Sequence, residues 1–291
     1  MSGFANDRVA IVTGAGQGIG REHALALAAE GAHVVVNDVG EAARETAEAI
    51  AAAGGSAVPC QADVSDWKEA EGLVDAALES FGRLDVLVNN AGIVRDRMLV
   101  SMAEEEWDAV LRINLKGHFC PLRHAGAYWR GRAKAGEAVD ARIVNTSSGA
   151  GLQGSVGQGN YAAAKAGVAA MTLVAAAEMA RYGVTVNALA PAARTPMTEA
   201  VFAEQMKAPE EGFDAMDPAN VSPLVVWLAS TESAGVTGRV FEVEGGVIGV
   251  ADGWQHGPRA ERDRRWRPEE IGAAVDEVLA AAPEPAAVWG A

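Results

Sequence analysis

Several residue types are scarce in this 291-residue chain, and each scarcity excludes a class of protein. The two cysteines, Cys60 and Cys120, lie in neither a CxxC motif nor a Cys/His cluster, and the five histidines lack metal-ligand spacing. We therefore expect two buried thiols in a reducing compartment, with no disulfide framework and no metal site. Aromatic residues are few (5%) while 33 residues are glycine, a balance that favours an α/β protein over a β-sandwich.

Basic residues are also too few for one common type of partner. The 24 Lys and Arg against 39 Asp and Glu give a formal net charge of −15. This charge repels a phosphate backbone, so no nucleic-acid partner is expected. No continuous apolar stretch approaches the length of a membrane span, and residues 1–14 lack a basic region followed by an apolar core. We expect a cytoplasmic protein with neither a membrane span nor a secretory signal.

Short β-branched runs alternate with longer alanine-rich segments along the chain, which is the pattern of a parallel, doubly wound sheet. We predict the α/β class, with one Rossmann-like domain of about seven strands over residues 1–250. A C-terminal extension over residues 251–291 follows, with a short helix at PEEIGAAVDEVLAA. The predicted strands are 9–13, 33–38, 56–60, 84–90, 142–148, 184–190 and 239–244.

A glycine-rich loop, TGAGQGIG, joins the first predicted strand to the following helix. Gly14, Gly18 and Gly20 form the spacing G-x3-G-x-G, with Gln17 and Ile19 between them. Small residues at a strand-to-helix turn let a pyrophosphate approach the backbone and the helix N-terminus. The spacing is not the common G-x-G-x-x-G, and a tight turn alone also needs glycine, so the nucleotide interpretation requires support from neighbouring positions.

That support comes from Asp38, which ends the second predicted strand 20 residues after Gly18. A carboxylate here accepts hydrogen bonds from the adenosine ribose hydroxyls and repels a 2′-phosphate. Gln17 supplies no positive charge, so NAD is expected rather than NADP. The alternative is that Asp38 caps a turn. Other strand ends complete the predicted crevice, with Asp63 and Val64 facing the adenine and Asn90, Ala91 and Gly92 closing it.

Tyr161 and Lys165 stand four residues apart in GNYAAAKAG, in a chain with three tyrosines. On a helix these positions share a face, so the phenol and the ammonium project into one region. Oxidation of an alcohol needs a base for the hydroxyl proton, and a free phenol, with a pKa of about 10, is protonated near neutrality. A neighbouring ammonium, together with the positive charge of an oxidised nicotinamide, lowers that pKa. The two residues are therefore a candidate acid/base pair, with an ordinary surface contact as the alternative.

With TGAGQGIG, NNAG, Ser148, Tyr161 and Lys165 in this order, residues 6–250 resemble the short-chain dehydrogenase/reductase family. The resemblance implies a catalytic tetrad that Asn114, in RINLKGHF, completes. In the implied roles, the tyrosine transfers the proton, the serine forms a hydrogen bond to the substrate oxygen, and the lysine binds the nicotinamide ribose. The asparagine would hold a water that connects the lysine to solvent. Taken singly, each residue also has a structural alternative, such as a turn former or a solvated charge.

Further site residues follow from the same resemblance. The serine of the tetrad is Ser148, 13 residues before Tyr161, rather than Ser147. Thr195 matches a threonine that often contacts the nicotinamide carboxamide. Pro191 matches the proline after the sixth strand, but Ala192 follows it where the family usually has glycine, so the loop shape there is expected to differ.

Longer stretches, including GREHALALA, NNAGIVRDRM and RTPMTEAVF, resemble the dehydrogenase module of multifunctional peroxisomal β-oxidation enzymes and related actinobacterial dehydrogenases. This resemblance implies oxidation of a (3R)-hydroxyacyl-CoA or a hydroxysteroid-like alcohol by a homodimer or homotetramer. A catalytically silent NAD-binding sensor or scaffold, and a non-redox lyase, are the alternatives. An apolar set is expected to cover a hydrophobic substrate, with helix packing as the alternative: Met197, Phe202, Met206, Phe213 and Met216.

The extension carries a basic island, GPRAERDRRWRP, on an otherwise acidic chain. The planar guanidinium of arginine can donate two parallel hydrogen bonds to phosphate oxygens, so these residues are candidates for contact with CoA phosphates. Pairing with carboxylates across a subunit interface, or full solvation, are the alternatives. The five residues are Arg259, Arg262, Arg264, Arg265 and Arg267.

Overall fold

The computed structural model of the chain describes residues 3–195, 198, 206–251 and 253–290. Its strands are Val9–Val12 (β1), His33–Asp38 (β2), Ser56–Gln61 (β3), Val86–Asn89 (β4), Ala141–Thr146 (β5), Val184–Ala192 (β6), Val240–Glu244 (β7) and Val247–Ala251 (β8). They form one sheet in the order β3-β2-β1-β4-β5-β6-β7-β8. The predicted Rossmann-like α/β fold is confirmed.

The sheet has one strand more than the predicted seven. Strands β1 to β7 pair in parallel, whereas β8 pairs antiparallel with β7, with Glu244 opposite Val247. Two glycines connect these strands, and Gly245 has a φ of 53°, which a tight hairpin turn requires and glycine adopts readily. The sheet therefore continues to Ala251, one residue past the predicted domain boundary.

Helices connect the parallel strands. The helices whose bounds the described residues give are Gly18–Ala29 (α1), Ala42–Ala52 (α2), Trp67–Phe81 (α3), Glu104–Val110 (α4), Gly117–Lys134 (α5), Gly149–Gln153 (α6), Gly159–Met179 (α7), Ser222–Ala229 (α8) and, after the sheet, Pro268–Ala281 (α9). A π-helical turn, Leu111–Lys116, joins α4 to α5. Helix α9 coincides with the helix predicted in the extension.

The core has two apolar layers, one on each face of the sheet. Alternate residues of β1 divide between them, with Ala10 and Val12 in one layer and Val9 and Ile11 in the other. Successive side chains of a strand point to opposite faces, so a strand covered on both sides has a continuous apolar sequence. This burial explains why the β-branched runs predicted the strands, and it leaves the carboxyl ends of the strands free to carry polar groups.

Helix α7 with its final turn, Gly159–Tyr182, is long and apolar enough to cross a membrane by length and mean hydropathy, which the sequence analysis did not expect. In the structure it packs against β6, α6 and the π-helical turn. It also buries the polar side chains of Asn160 and Lys165, which have hydrogen-bond partners inside the protein. Satisfied buried polar groups are typical of a helix packed within a folded domain.

Candidate active site

The candidate site lies at the carboxyl ends of β1 and β4, where the strand order reverses. The hydroxyl of Thr13 accepts hydrogen bonds from the backbone N–H groups of Asn90 (2.9 Å) and Ala91 (3.1 Å). The Asn90 amide in turn donates to the carbonyls of Thr13 (3.1 Å) and Gly14 (3.2 Å). These bonds join the two strand ends and fix the walls of a crevice. In open α/β sheets, ligands bind in this crevice.

The glycine loop forms one wall of the crevice. Gly14 and Gly18 have φ angles of 60° and 55°, and a Cβ on Gly14 would lie 2.7 Å from the Cα of Ala91. The loop therefore needs glycine for its own conformation. It also leaves the start of α1 open, because Gln17 is exposed and its side chain makes no capping hydrogen bond. Unpaired N–H groups and the partial positive charge of a helix N-terminus fit a pyrophosphate.

Asp38 ends β2 beside the glycine loop. Its Oδ2 accepts from the N–H of Gly16 at 3.1 Å, and its Oδ1 accepts from the N–H of Val39 at 2.8 Å. The turn-capping role considered for Asp38 is therefore present in the structure. A carboxylate has about four acceptor sites, and Asp38 is part-exposed, so capacity for two ribose hydroxyls remains.

The predicted adenine end of the crevice lies after β3. Asp63 accepts from the hydroxyl of Ser65 at 2.6 Å and from Arg112 at 2.8 Å. Partial burial raises the pKa of Asp63, but the hydrogen bonds from Ser65 and Arg112 outweigh it and lower the pKa overall. Val64 is buried against Gly117. This end of the crevice thus has a fixed wall that contains an ionised carboxylate.

Lys165 and Tyr161 lie together at the carboxyl end of β5. The buried Nζ of Lys165 donates to the backbone carbonyl of Thr146 at 2.7 Å and lies 5.7 Å from the centroid of the Tyr161 ring. Burial lowers the pKa of Lys165 to about 7. The structure therefore brings the phenol and the amine into one protected region, as the spacing predicted, and excludes an ordinary surface contact.

The pKa of Tyr161 is raised in the chain without cofactor. Burial raises this pKa to about 12, a hydrogen bond with Ser148 opposes the rise, and the negative charge of Asp96 adds to it. The predicted lowering of the phenol pKa by Lys165 together with the positive nicotinamide stays a prediction, because these causes act on the chain without cofactor. Burial acts on both residues, because it disfavours the charged form of the phenol and of the amine alike.

The two neighbouring serines have different positions. Ser147 is buried, and its hydroxyl donates to the backbone carbonyl of Lys165 at 2.8 Å. Ser148 precedes α6, accepts from the N–H of Ala150 at 3.2 Å, and forms the hydrogen bond with Tyr161. Of the two, Ser148 lies beside the phenol.

Asn114 lies in the π-helical turn and is fully buried. Its amide donates to the carbonyls of Ile93 (2.8 Å) and Val110 (3.0 Å), and its Oδ1 accepts from the N–H of Ile93 (3.2 Å). A Cβ on Gly92 would lie 2.5 Å from Asn114 Oδ1 and 3.7 Å from Lys165 Nζ. Asn114 thus borders the pocket of Lys165. Single π-helical turns occur frequently at functional sites, because they displace one side chain from the helical register.

The other predicted contacts lie at and after the end of β6. Pro191 lies within β6, opposite Val243 of β7. The Thr195 hydroxyl is 3.1 Å from that of Thr198. The backbone N–H of Arg194 donates to the carbonyl of Met216, and its side chain donates to the carbonyl of Met206.

The predicted apolar set is exposed to different degrees. Met206 and Met216 are half-buried, and Phe213 is exposed. Met197 and Phe202 lie outside the described residues.

Three of the five arginines of the extension contact other residues of the extension. Arg264 forms an ion pair with Glu270 at 2.6 Å, and Arg267 lies 3.5 Å from Glu269 and Glu270. The guanidinium of Arg262 lies 5.0 Å from the ring centroid of Trp266. These contacts favour a structural role for three of the five arginines over phosphate binding.

Two residues that the sequence analysis did not single out lie beside the tetrad. Asp96 accepts from the Gln158 amide at 3.0 Å through Oδ2, while Oδ1 is buried without a hydrogen-bond partner among the described residues. His118 is fully buried, and burial together with the charge of Lys165 lowers its pKa well below the usual value. Both belong to motifs already quoted, NNAGIVRDRM and RINLKGHF, but no spacing rule assigns them a role.

Comparisons with known proteins agree with this geometry. The sequence pattern of the short chain dehydrogenase family matches residues 8–206. The hydroxyacyl-CoA dehydrogenase ChsB1 of Mycobacterium tuberculosis is 46% identical over 282 residues, covering 94% of this chain and 89% of that protein. The peroxisomal multifunctional enzyme type 2 of Mus musculus is 41% identical over 83% of this chain, which spans 32% of that enzyme. A crystal structure of a short chain dehydrogenase from Mycobacterium avium superposes with a TM-score of 0.91 at 58% identity, covering 99% of this chain and 100% of that one. The resemblances drawn from the motifs are confirmed.

Proposed function

Because the chain belongs to the short-chain dehydrogenase family, we propose that it is an NAD-dependent oxidoreductase that oxidises a hydrophobic secondary alcohol. Within that class, a 3-hydroxyacyl-CoA or a hydroxysteroid-like alcohol is the proposed substrate. The observation that carries the proposal is the protected cluster of Ser148, Tyr161 and Lys165 at the strand ends, beside a glycine loop that leaves a helix N-terminus open.

Tyr161 is the proposed general base in oxidation and the general acid in reduction. Its phenol is protonated near neutrality, and burial raises its pKa further, to about 12, so loss of its proton requires positive charge nearby. Lys165, whose Nζ lies 5.7 Å from the centroid of the Tyr161 ring, supplies part of that charge when it is protonated. Bound NAD would supply the hydride acceptor and, before hydride transfer, the positive charge of its oxidised nicotinamide ring.

Ser148 and Asn114 support this proton transfer. Ser148 lies beside the phenol, and in this proposal its hydroxyl donates to the substrate oxygen as negative charge develops there. Asn114 is held by three hydrogen bonds to backbone groups, so its amide presents a fixed dipole beside Lys165. In this proposal a water at Asn114 carries protons between Lys165 and solvent.

The choice of NAD over NADP rests on Asp38. A 2′-phosphate at the adenosine ribose would meet this carboxylate, and Gln17 offers no compensating charge. The remaining proposed cofactor contacts are Gly14, Gly18, Ile19, Gly20, Asp63, Val64, Asn90, Ala91, Gly92, Pro191 and Thr195. NAD dependence favours the oxidative direction in the cell.

The substrate class is supported by the relatives and by composition. One similar protein is named a hydroxyacyl-CoA dehydrogenase, and another is a peroxisomal multifunctional enzyme. Apolar residues on the segment after β6, including Met206 and Met216, suit a hydrophobic alcohol. Arg259 and Arg265, which form no ion pair in the described part of the chain, are the arginines left for CoA phosphates.

A homodimer or homotetramer in the cytoplasm is proposed as the working form. The outer faces of α5 and α7 expose large apolar side chains, among them Phe119, Leu173 and Val174, which a subunit contact would cover.

Two other functions are weaker. A non-redox lyase on this fold would be expected to lack the lysine or the glycine loop, and both are present. A catalytically silent NAD-binding sensor or scaffold would be expected to lack part of the tetrad, and all four residues are present.

The test is a panel of (3R)-hydroxyacyl-CoAs and hydroxysteroids with NAD and NADP side by side, followed through NADH or NADPH absorbance. Tyr161→Phe should abolish turnover, whereas Tyr182→Phe at the far end of the same helix should retain it. An active Tyr161→Phe enzyme would remove the mechanism. Turnover of free alcohols without any CoA thioester would remove the acyl-CoA substrate, and tight NAD binding with no turnover would favour the sensor.

A further inference from the structure

The end of the chain returns to the segment between Ser148 and Tyr161. Residues 288–290, which we call the terminal segment, run beside residues 154–156. The N–H of Trp289 donates to the Gly154 carbonyl at 3.3 Å, and the Trp289 carbonyl accepts from the N–H of Val156 at 2.9 Å. Two backbone hydrogen bonds on one residue are a strand-like pairing, so this contact fixes the direction of the terminal segment.

The side chain of Trp289 extends this contact towards Ser148. Its indole N–H donates to the Gln153 side-chain oxygen at 2.8 Å. Its six-membered ring covers Gly149, where a Cβ would lie 2.7 Å from Cη2 and 3.0 Å from Cζ2. Gly149 follows Ser148 and begins α6. The indole therefore packs on the backbone that carries the predicted catalytic serine.

Three exposed apolar side chains lie along the same stretch. Trp289 keeps 50% of its surface exposed, Val156 beside it is exposed, and Leu99 fills the space at Gly159. They follow the chain from Ser148 to Tyr161, the two residues proposed to contact the substrate oxygen. An apolar wall beside a few polar groups is the usual composition of a site for a largely hydrophobic ligand.

We propose that Trp289 is a positioning and specificity-determining residue. It holds the backbone after Ser148, and with Leu99 and Val156 it forms a wall for the hydrophobic part of the substrate. The class of substrate that needs this wall carries a long acyl chain or a ring system beyond the reacting alcohol. The substrate role depends on the dehydrogenase function proposed above, whereas the contact of Trp289 with residues 149–156 does not.

The first experiment removes the contact in two ways, by Trp289→Ala and by a chain that ends at residue 287. Trp254→Ala is the matched control, since Trp254 lies in the same extension and is fully exposed. Kinetics with a long-chain or ring-bearing hydroxyacyl-CoA and with a four-carbon one would accompany hydrogen exchange over residues 149–158. We expect KM for the bulky substrate to rise roughly 10- to 100-fold and KM for the short one to change less than about threefold. Exchange at the Val156 N–H should accelerate, and the control should change neither quantity.

A double-mutant cycle tests whether the indole acts through Gly149. In the full chain, Gly149→Ala places a methyl group against the indole and should lower kcat/KM about 10-fold by shifting Ser148. In the chain that ends at residue 287 the clashing ring is absent, so the same substitution should cost less than about twofold. Equal losses in both backgrounds would contradict the positioning role.

The kinetic and exchange measurements together distinguish a failure of the role of Trp289 from a failure of the dehydrogenase function. Faster exchange with unchanged kinetics on every substrate overturns the role of Trp289 and leaves the dehydrogenase intact. Unchanged exchange in both Trp289 variants overturns the contact itself. If the native chain oxidises no alcohol, the dehydrogenase function fails and the substrate role fails with it, while the exchange measurement still decides whether the terminal segment binds residues 149–156.

Discussion

The Nζ of Lys165 and the backbone carbonyl of Thr146 form a buried hydrogen bond of 2.7 Å. This bond ties the middle of α7 to the carboxyl end of β5 and fixes the amine beside the Tyr161 ring. Burial at this position lowers the Lys165 pKa to about 7, so the amine is only partly charged at neutral pH. Small changes of pH near neutrality therefore change the fraction of Lys165 that is protonated.

A pH dependence of stability follows from this pKa. Between pH 7 and 10.5 the unfolded chain keeps a proton on Lys165 that the folded chain has released, so the free energy of unfolding should rise with pH. The contribution is at most about 1.4 kcal/mol per pH unit. The gain in the free energy of unfolding should be complete near the ordinary lysine pKa of 10.5, and it should be lost as the pH falls to about 7. Denaturant unfolding from pH 7 to 9.5 in the absence of cofactor would measure it.

Lys165→Met is the control for that measurement, because methionine fills the space without titrating. Its unfolding free energy should lack the Lys165-dependent slope. The pKa of Tyr161 is raised, so its effect has the opposite sign and appears only between pH 10 and about 12, outside the measured window. Equal slopes in the two proteins would contradict the lowered lysine pKa.

A second prediction concerns Asp96. Its negative charge raises the pKa of the Tyr161 phenol, so Asp96→Asn should lower that pKa and move the rise of kcat/KM to lower pH. The asparagine can keep the hydrogen bond from Gln158. The measurement is the pH profile of kcat/KM for alcohol oxidation. Asp108→Asn, at an exposed position on α4, should leave the profile in place, and a shift towards higher pH in Asp96→Asn would reverse the assigned sign.

The fold was predictable because its signals are local and repeated. The β-branched runs predicted the parallel strands, since strands buried on both faces have continuous apolar sequences. The edge strand β8 was missed because its apolar side chains, Val247, Ile248 and Val250, are largely exposed and its sequence is short. Its Gly-Gly turn was the available signal.

The site was predictable only in part. The spacing of Tyr161 and Lys165 indicated their common region, because helical geometry is fixed by sequence separation. The burial that raises the pKa of the phenol was not predicted, since it comes from the packing of distant segments. Trp289 and Gln153 are separated by 136 residues, and no local pattern predicts a contact of that range.

A third prediction tests the cofactor. Replacing Asp38 by Asn removes the charge that a 2′-phosphate would meet, so the preference for NAD over NADP should fall roughly 10- to 100-fold. The asparagine oxygen can still accept one backbone N–H, which limits damage to the loop at Gly16. The ratio of kcat/KM values for the two cofactors is the measurement, with Asp75→Asn on the exposed face of α3 as control. An unchanged ratio would place cofactor selection elsewhere.

The fourth prediction tests the pocket of Asn114. A Cβ at position 92 would lie 2.5 Å from Asn114 Oδ1, a distance that real Cβ atoms do not adopt, so Gly92→Ala must displace the Asn114 amide. We expect kcat to fall by about 10-fold or more and the free energy of unfolding to drop by about 1–3 kcal/mol, because a buried hydrogen-bond network is broken.

Gly72→Ala is the matched control for the same substitution. Gly72 lies inside α3, and a Cβ there meets nothing within 4 Å. Alanine should stabilise the protein by about 0.5–1 kcal/mol, because it reduces the entropy of the unfolded chain, and kcat should not change. Thermal unfolding and steady-state kinetics on both variants separate loss of the Asn114 position from a general effect of adding a methyl group. A Gly92→Ala enzyme with normal kcat would show that turnover does not depend on the Asn114 amide in its present place.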